Sequence, residues 1–231
     1  MRYKDFEYII SEERMTRYVQ ACGGNTRKAM TLYRYNLQLS QELFTIISCF
    51  EIALRNAINK ELTSHLGAEW LKDAIMPHGI FSIPILSKTH DIILFAYNKL
   101  NREGIYTHTK LLAEMEFGIW KYMFSPVQFR QTGQVLLRIF PNKDRSTASV
   151  KYNHSYMFNE LDKINTMRNR IAHHEPVCFY LQDSIIDTTH VMSIHSKMQK
   201  LFQWMGIDSQ ALLYGLDHAR QVCNKINELK E

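Results

Sequence analysis

The sequence predicts an all-α fold with little or no sheet. Apolar residues recur at helical spacing along most of the chain, and the 5 prolines and 9 glycines among its 231 residues stand mainly where these patterns end. Only Val177 to Leu181 has the pattern of a short extended run. Because 45% of the residues are hydrophobic, the chain can fill a core. We therefore expect one α-helical domain over residues 1–231, in which the helices of 1–75 pack together with those of 150–231.

Helix boundaries are marked most clearly in the N-terminal third. Ser11, followed by two glutamates, is typical of a helix start, and Gly23-Gly24 predicts the end of that helix. Asn25-Thr26 is expected to cap the next helix, which meets no proline or glycine before Gly67. A bend or break is expected in it near residues 33–36.

The second half of this long helix is predicted to lie buried at the centre of the protein. Apolar residues cover several of its faces: Leu43, Phe44, Ile46, Ile47, Phe50, Ile52, Leu54 and Ile58. Glu51 and Arg55 stand four residues apart, where opposite charges meet on a helix. They form either a buried structural ion pair or part of a functional site, and Asn56 beside them is open to the same two interpretations.

Further patterns predict the elements that follow. In order, these are a loop over residues 76–86, a helix with Ile92, Phe95, Ala96 and Leu100 on one side, a short helix through Leu112 capped by Thr107 or Thr109, a helix from about Val127 to Phe140, a polar loop from Pro141 to Lys151, and a helix from Thr188 to Met205.

The composition indicates a soluble, cytoplasmic protein with no cofactor. A formal net charge of +5 permits an anionic partner without requiring one. The four cysteines have neither the spacing of a disulfide framework nor that of a zinc site. The N-terminus lacks the apolar run of a signal peptide, and the most apolar segment, Phe44 to Ile58, is interrupted by charges and shorter than the about 20 residues of a membrane span.

The stretch from Met167 to Pro176 concentrates the chemically reactive side chains. The helix before it carries a buried stripe of Met157, Leu161, Ile164 and Ile171, and Arg168 falls on that stripe. An arginine at an apolar position is costly unless it has partners or lines a wet cleft or an interface. This position is the strongest indication of a site in the sequence.

The residues after Arg168 extend the candidate site. Asn169 and His173 stand four residues apart and share a helix face, and the guanidinium of Arg168 is long enough to turn towards them. Pro176 predicts that the helix ends at about His174. The negative end of the helix dipole then lies beside both histidines and favours the imidazolium form, which can act as an acid.

A proton-shuttling histidine and a phosphate-binding arginine are sufficient to cleave RNA without a metal ion. The ribose 2′-OH is the nucleophile, the phosphate passes through a charged pentacoordinate state, and an acid protonates the leaving 5′ oxygen. One histidine per chain supplies one of the two proton transfers. A homodimer with a composite cleft would supply both.

The motif Arg168-Asn169-Arg170-Ile171-Ala172-His173 resembles the signature of the HEPN superfamily, whose members are commonly dimeric, metal-independent RNases. Together with Glu51 to Asn56 and Phe117 to Trp120, the stretch through Pro176 resembles the Abi-like (AbiD/AbiF) family of phage-defence proteins, over about residues 30 to 205. The resemblance implies a HEPN-like helical bundle with additional helices and a catalytic site at Arg168 and His173. It also implies abortive infection through RNA cleavage, with an antitoxin, either protein or RNA, as a possible partner.

Within this interpretation Asn169 orients the reacting groups, and Arg170, His174, Glu51, Arg55 and Asn56 bind RNA or support the site. Some HEPN toxins carry a tyrosine two residues after the histidine, which a partner nucleotidyltransferase modifies. Here that position is Glu175, so we do not expect this form of regulation.

Two alternatives remain open, and a third is disfavoured. Arg168 could pair with a buried acid such as Glu51 in a purely structural role, or the cleft could bind RNA or a nucleotide without cleaving it. A metal site formed by His173, His174 and Cys178 is disfavoured because adjacent residues on a helix diverge by about 100°.

Overall fold

The computed structural model describes residues 1–180 and 183–230 and confirms the all-α prediction. Twelve α-helices and no β-strand occur in these ranges, and the only strand-like pairing within them is an isolated antiparallel bridge between Phe179 and Ile186. Leu181, the last residue of the predicted extended run, lies outside the described residues.

Contacts divide the chain into two compact units. Unit 1 comprises Met1–Ser48, Thr166–Lys200 and Asp208–Glu231, and unit 2 comprises Cys49–Asn165 and Leu201–Ile207. Three long helices contribute residues to both units. The packing of residues 1–75 with residues 150–231 in one domain stays a prediction.

Unit 1 begins with two short helices, α1 (Tyr3–Ile10) and α2 (Glu12–Ala21). The predicted helix start at Ser11 is confirmed, since its side chain accepts a hydrogen bond from the backbone N–H of Arg14 at 3.3 Å. The preceding helix α1 was not predicted. Phe6 of α1 packs edge to face on Tyr33, which anchors this amphipathic helix to the core of the unit.

The long helix α3 runs from Thr26 to Leu66. Asn25 caps it by accepting the N–H of Lys28 at 3.0 Å, as predicted. The helix continues unbroken through residues 33–36, where a bend or break was expected. A run of helix-compatible residues without proline or glycine explains this continuity.

The predicted central burial of the second half of α3 is wrong on one side of the helix. Its apolar stripe from Leu43 to Ile58 is buried, but Phe44 and Ile52 are about half exposed, at 46% and 49%. Glu51 and Arg55 are both half-buried, and Asn56 is exposed. Whether Glu51 and Arg55 form a structural ion pair or part of a functional site stays a prediction.

Unit 2 contains α4 (Trp70–Asp73), α5 (Ser87–Arg102), α6 (His108–Ala113), α7 (Phe117–Tyr122) and α8 (Pro126–Gln131), with 3-10 turns at Pro84–Leu86 and Leu136–Ile139. The predicted loop before α5 is present, and Thr107 caps α6 through the N–H of Lys110. The stripe expected on α5 is partly wrong. Ile93, Ala96 and Leu100 are buried, whereas Ile92 and Phe95 are 42% and 75% exposed.

The helix expected over residues 127–140 is interrupted. Helix α8 ends at Gln131, and Gly133 and Gln134 both adopt positive φ, at 73° and 59°. Two consecutive residues in the left-handed backbone conformation cannot continue a right-handed helix, so the chain turns before the 3-10 segment at Leu136. The polar loop over residues 141–151 is confirmed.

The C-terminal part consists of α9 (His154–Ala172), α10 (Thr189–Trp204), α11 (Ser209–Leu212), α12 (Ala219–Asn227) and the 3-10 segment Glu228–Lys230. Helix α10 matches the predicted helix over residues 188–205 to within one residue at each end.

One helix in the described ranges, α3, is long and apolar enough to cross a membrane by length and composition. The core helix of a soluble protein meets the same criterion, so a membrane is not indicated.

Candidate functional site

The site is built on the last turns of α9. The buried side of this helix consists of Met157, Leu161, Ile164 and Met167, all fully buried. Arg168 is only partly buried, at the margin of that side, because Met167 rather than Arg168 continues the stripe. Within the described residues Arg168 forms no hydrogen bond or ion pair, so its guanidinium donors remain available to a ligand.

The end of α9 is a Schellman motif. The N–H of His174 donates to the carbonyl of Ile171 at 3.0 Å, and the N–H of Glu175 donates to the carbonyl of Arg170 at 2.8 Å. His174 occupies the left-handed position of this motif at φ 57°, where glycine is usual. The predicted helix end at about His174 is therefore confirmed, and Pro176 follows directly after the motif.

Asn169 and His173 lie one turn apart, as predicted. The N–H of His173 donates to the carbonyl of Asn169 at 2.9 Å, and both residues are exposed. Arg168 precedes His173 by five residues, which places the two about 140° apart around the helix axis. A single copy of α9 thus presents its arginine and its histidine in different directions.

A cleft of about 410 Å³ in unit 1 opens at this helix end. His173, His174 and Glu175 line one wall, and residues of α2, including Glu13, Arg14 and Arg17, line the other. The guanidinium of Arg14 spans the cleft and donates to the carbonyl oxygen of His174 at 3.0 Å. Two arginines therefore stand opposite the candidate catalytic histidine.

Arg17 is fixed more firmly than Arg14. It donates from Nε to the carbonyl oxygen of Asp183 at 2.8 Å, and its guanidinium carbon lies 4.5 Å from the centre of the Phe179 ring. Partial burial and the nearby charge of Arg170 lower the pKa of Arg17, although an arginine stays charged at neutral pH.

Arg170 is engaged by the segment that follows the helix. Its guanidinium donates to the carbonyl oxygen of Pro176 at 2.6 Å, and its Nε lies 3.4 Å from a carboxylate oxygen of Glu175. These contacts hold the chain after His174 against the last turn of α9. Arg170 is therefore placed to support the geometry of the site.

The segment after the motif is anchored by Asn36 of α3, which is buried. Its side-chain oxygen accepts the backbone N–H groups of Val177 at 2.8 Å and Cys178 at 3.2 Å. Burial raises the pKa of the Cys178 thiol to about 12, so it is a poor thiolate ligand or nucleophile at neutral pH. No cluster of three or more metal-ligating side chains occurs in the part of the chain that the structure describes.

Glu51, Arg55 and Asn56 belong to unit 2, whereas Arg168, Asn169, Arg170, His173 and His174 belong to unit 1. The residues of α9 and of the turn after it are thus brought together within one unit. That Glu51, Arg55 and Asn56 take part in the same site stays a prediction.

The family model of the Abi-like proteins matches residues 1–178 of this sequence. The chain belongs to the Abi-like protein family. No curated protein and no solved structure matches it. Membership suggests a role in abortive infection, the defence of bacteria against phage.

The matched region of this Abi-like protein differs from the range expected from its motifs, residues 30 to 205. It includes α2 with Arg14 and Arg17, and it ends at Cys178, directly after the Schellman motif. Both walls of the cleft therefore lie within the family match.

The Abi-like protein has a second, larger groove of about 660 Å³ in unit 2. Its lining is mainly apolar and includes Ile92, Phe95 and Ile119, together with Lys88, Glu114 and Glu116. Its lining residues include neither histidine nor arginine, so this groove does not repeat the combination of histidine and arginine that lines the cleft at the end of α9.

Sequence reasoning missed Arg14 and Arg17. Their only local signal is a spacing of three residues, which places them on one side of α2. That signal does not reveal which element they face, because α2 and the end of α9 are separated by about 150 residues of sequence.

Proposed function

We propose that this Abi-like protein is a metal-independent endoribonuclease that acts in phage defence, with Arg168 and His173 as its catalytic pair. The observation that carries the proposal is the open end of α9. There His173 is exposed in a cleft beside two arginines, one turn after an exposed Asn169, while Arg168 retains its free donors.

The chemistry follows from these side chains. An imidazole removes the proton of the ribose 2′-OH or protonates the leaving 5′ oxygen. The guanidinium of Arg168 stabilises the negative charge that accumulates on the phosphate oxygens in the transition state. Asn169, on the same face as His173, orients the reacting phosphate by hydrogen bonding.

A composite site in a homodimer accounts for the divergence of Arg168 and His173. When two copies of α9 face each other, the arginine of one copy can approach the histidine of the other, and two histidines serve as acid and base. Sedimentation or light scattering of the purified protein is expected to give a dimer.

The test uses cellular RNA and purified protein in the presence of EDTA. We expect the wild type to cleave RNA and both variants, Arg168→Ala and His173→Ala, to lose at least about 100-fold in rate. This is the contribution of a general acid or base for His173 and of electrostatic stabilisation for Arg168. Arg102→Ala and His65→Ala, which remove the same side chains from exposed positions in unit 2, serve as controls.

Cleavage that persists in both site variants would contradict the proposal. Retained RNA binding without turnover in the wild type would instead indicate a non-catalytic RNA-binding or sensor module.

A further inference from the structure

The two arginines of α2 are held in different ways. Arg17 is half-buried, stacked on Phe179, and bound through its guanidinium to the carbonyl of Asp183. Arg14 is exposed and makes one side-chain hydrogen bond, to the carbonyl of His174. No carboxylate pairs with Arg14 within the described residues. Because a guanidinium has five N–H donors, four donors of Arg14 remain for a ligand in the cleft.

The location of Arg14 matters because it lies at the negative end of α9. The carbonyl groups at a helix C-terminus repel an anion, and a phosphate beside His173 must approach them. His174 lies just beyond the helix, so the bond to its carbonyl places the positive charge of Arg14 beside this helix end, where it offsets part of the repulsion. The same bond fixes one edge of the guanidinium, which reduces the conformational entropy lost when the other donors bind a ligand.

Two carboxylates also line the cleft, Glu13 and Glu175. The carboxylate of Glu175 lies 3.4 Å from Nε of Arg170, so its charge is largely compensated. The negative charge of Glu13 is then outweighed by the positive charges of Arg14 and Arg17. The cleft therefore keeps a positive balance near His173.

We propose that Arg14 binds a backbone phosphate of the RNA substrate next to the nucleotide that reaches His173. Arg17 is a positioning residue that holds the adjacent wall of the cleft. This inference rests on the proposed function for its substrate class, RNA. It adds a binding residue outside the motif of α9.

The experiment measures binding of a fluorescently labelled single-stranded RNA to the full-length protein in EDTA over a series of KCl concentrations. All proteins carry His173→Ala so that the RNA stays intact. Arg14→Gln removes the charge in the cleft, and Arg27→Gln removes the same charge from an exposed position on α3 outside the cleft. Arg14→Lys keeps the charge but loses the planar fork, and thermal melting checks the folding of each variant.

We expect Arg14→Gln to weaken binding about fivefold, the loss expected for one exposed charge-assisted contact. The slope of log affinity against log salt should fall by about 0.7, the value for one phosphate contact on a single strand. Arg14→Lys should preserve the slope, and Arg27→Gln should change neither quantity. Equal effects of Arg14→Gln and Arg27→Gln, or no RNA binding at all, would overturn the inference.

The outcome separates this inference from the nuclease proposal. Arg14-dependent binding without cleavage by the wild type would sustain the inference and refute the nuclease. If the protein with an intact His173 cleaves RNA, and Arg14→Gln leaves the KM of that cleavage unchanged, the inference is refuted and the nuclease proposal is sustained.

Discussion

The backbone N–H of Glu175 donates to the carbonyl oxygen of Arg170 at 2.8 Å, and this bond wraps the chain around His174 at φ 57°. A side chain with a Cβ is strained in that conformation, and glycine is not. The candidate catalytic residue His173 directly precedes this strained position. The turn thus fixes the direction in which the chain leaves the site.

The first prediction concerns His174. We expect His174→Gly to raise the free energy of unfolding by about 0.5–1 kcal/mol, because glycine removes the left-handed strain. Ala172→Gly, at the last residue of α9, should lower it by a similar amount because the backbone there is helical. Urea denaturation measures both, and a loss of stability in both variants would contradict the assignment of strain.

The second prediction concerns the buried oxygen of Asn36. Asn36→Ala leaves the N–H groups of Val177 and Cys178 without their acceptor, so we expect a loss of about 2–4 kcal/mol in the free energy of unfolding. Asn36→Asp keeps an acceptor oxygen and should be less destabilising. If the two variants unfold at the same urea concentration, the acceptor does not anchor the segment after the motif.

The third prediction is a loss of stability in mild acid. Nε2 of His108 lies 2.8 Å from the side-chain oxygen of Asn59, which also accepts from Trp70, so the neutral imidazole carries its proton on Nε2. Its Nδ1 is buried without a partner in the described residues. Partial burial lowers the pKa of His108 below its ordinary value of 6.5, so the neutral form predominates at neutral pH in the folded state.

The direction of the pH effect follows from this shift. Well above pH 6.5 the imidazole is neutral in both the folded and the unfolded state. As the pH falls below 6.5 the unfolded chain takes up the proton first, so the free energy of unfolding decreases until the folded pKa is passed. Partial burial also lowers the pKa of His190, which adds to the effect.

The control is His108→Gln, which keeps a donor for Asn59 and removes the titrating ring. We expect it to flatten the decline of stability just below pH 6.5 relative to the wild type. Identical pH profiles for the two proteins would show that His108 does not contribute.

The sequence predicts those parts of the fold that depend on neighbouring residues. Ser11, Asn25 and Thr107 cap their helices through backbone groups three residues away, so the motif itself contains the interaction. The end of α9 is predicted for the same reason, because Pro176 restricts the residue before it.

Prediction from the sequence fails where two adjacent residues fit the same helical periodicity. On α9 either Met167 or Arg168 could continue the buried stripe, and the structure buries Met167. On α5 the adjacent residues Ile92 and Ile93 are equally apolar, and Ile93 is the buried one. Tertiary packing decides between such neighbours, and it also brings Arg14 to the cleft.

The fourth prediction concerns the host cell. If this Abi-like protein cleaves cellular RNA, its expression in a bacterial host should arrest growth, and His173→Ala should relieve the arrest at equal protein abundance. His65→Ala, at an exposed position outside the cleft, should remain toxic. Equal toxicity of the His173→Ala variant, checked by immunoblotting for abundance, would argue against a catalytic histidine.

The most direct test of the central claim is the chemistry of the cleaved ends. An RNA oligonucleotide cut by the wild type in EDTA should yield a 2′,3′-cyclic phosphate, because the 2′-OH is the nucleophile, and a single 2′-deoxy substitution at the cut position should abolish that cut. The Arg168→Ala and His173→Ala variants should give no such product. Cleavage that continues at the 2′-deoxy position, or that leaves a 3′-OH end, would contradict catalysis by Arg168 and His173.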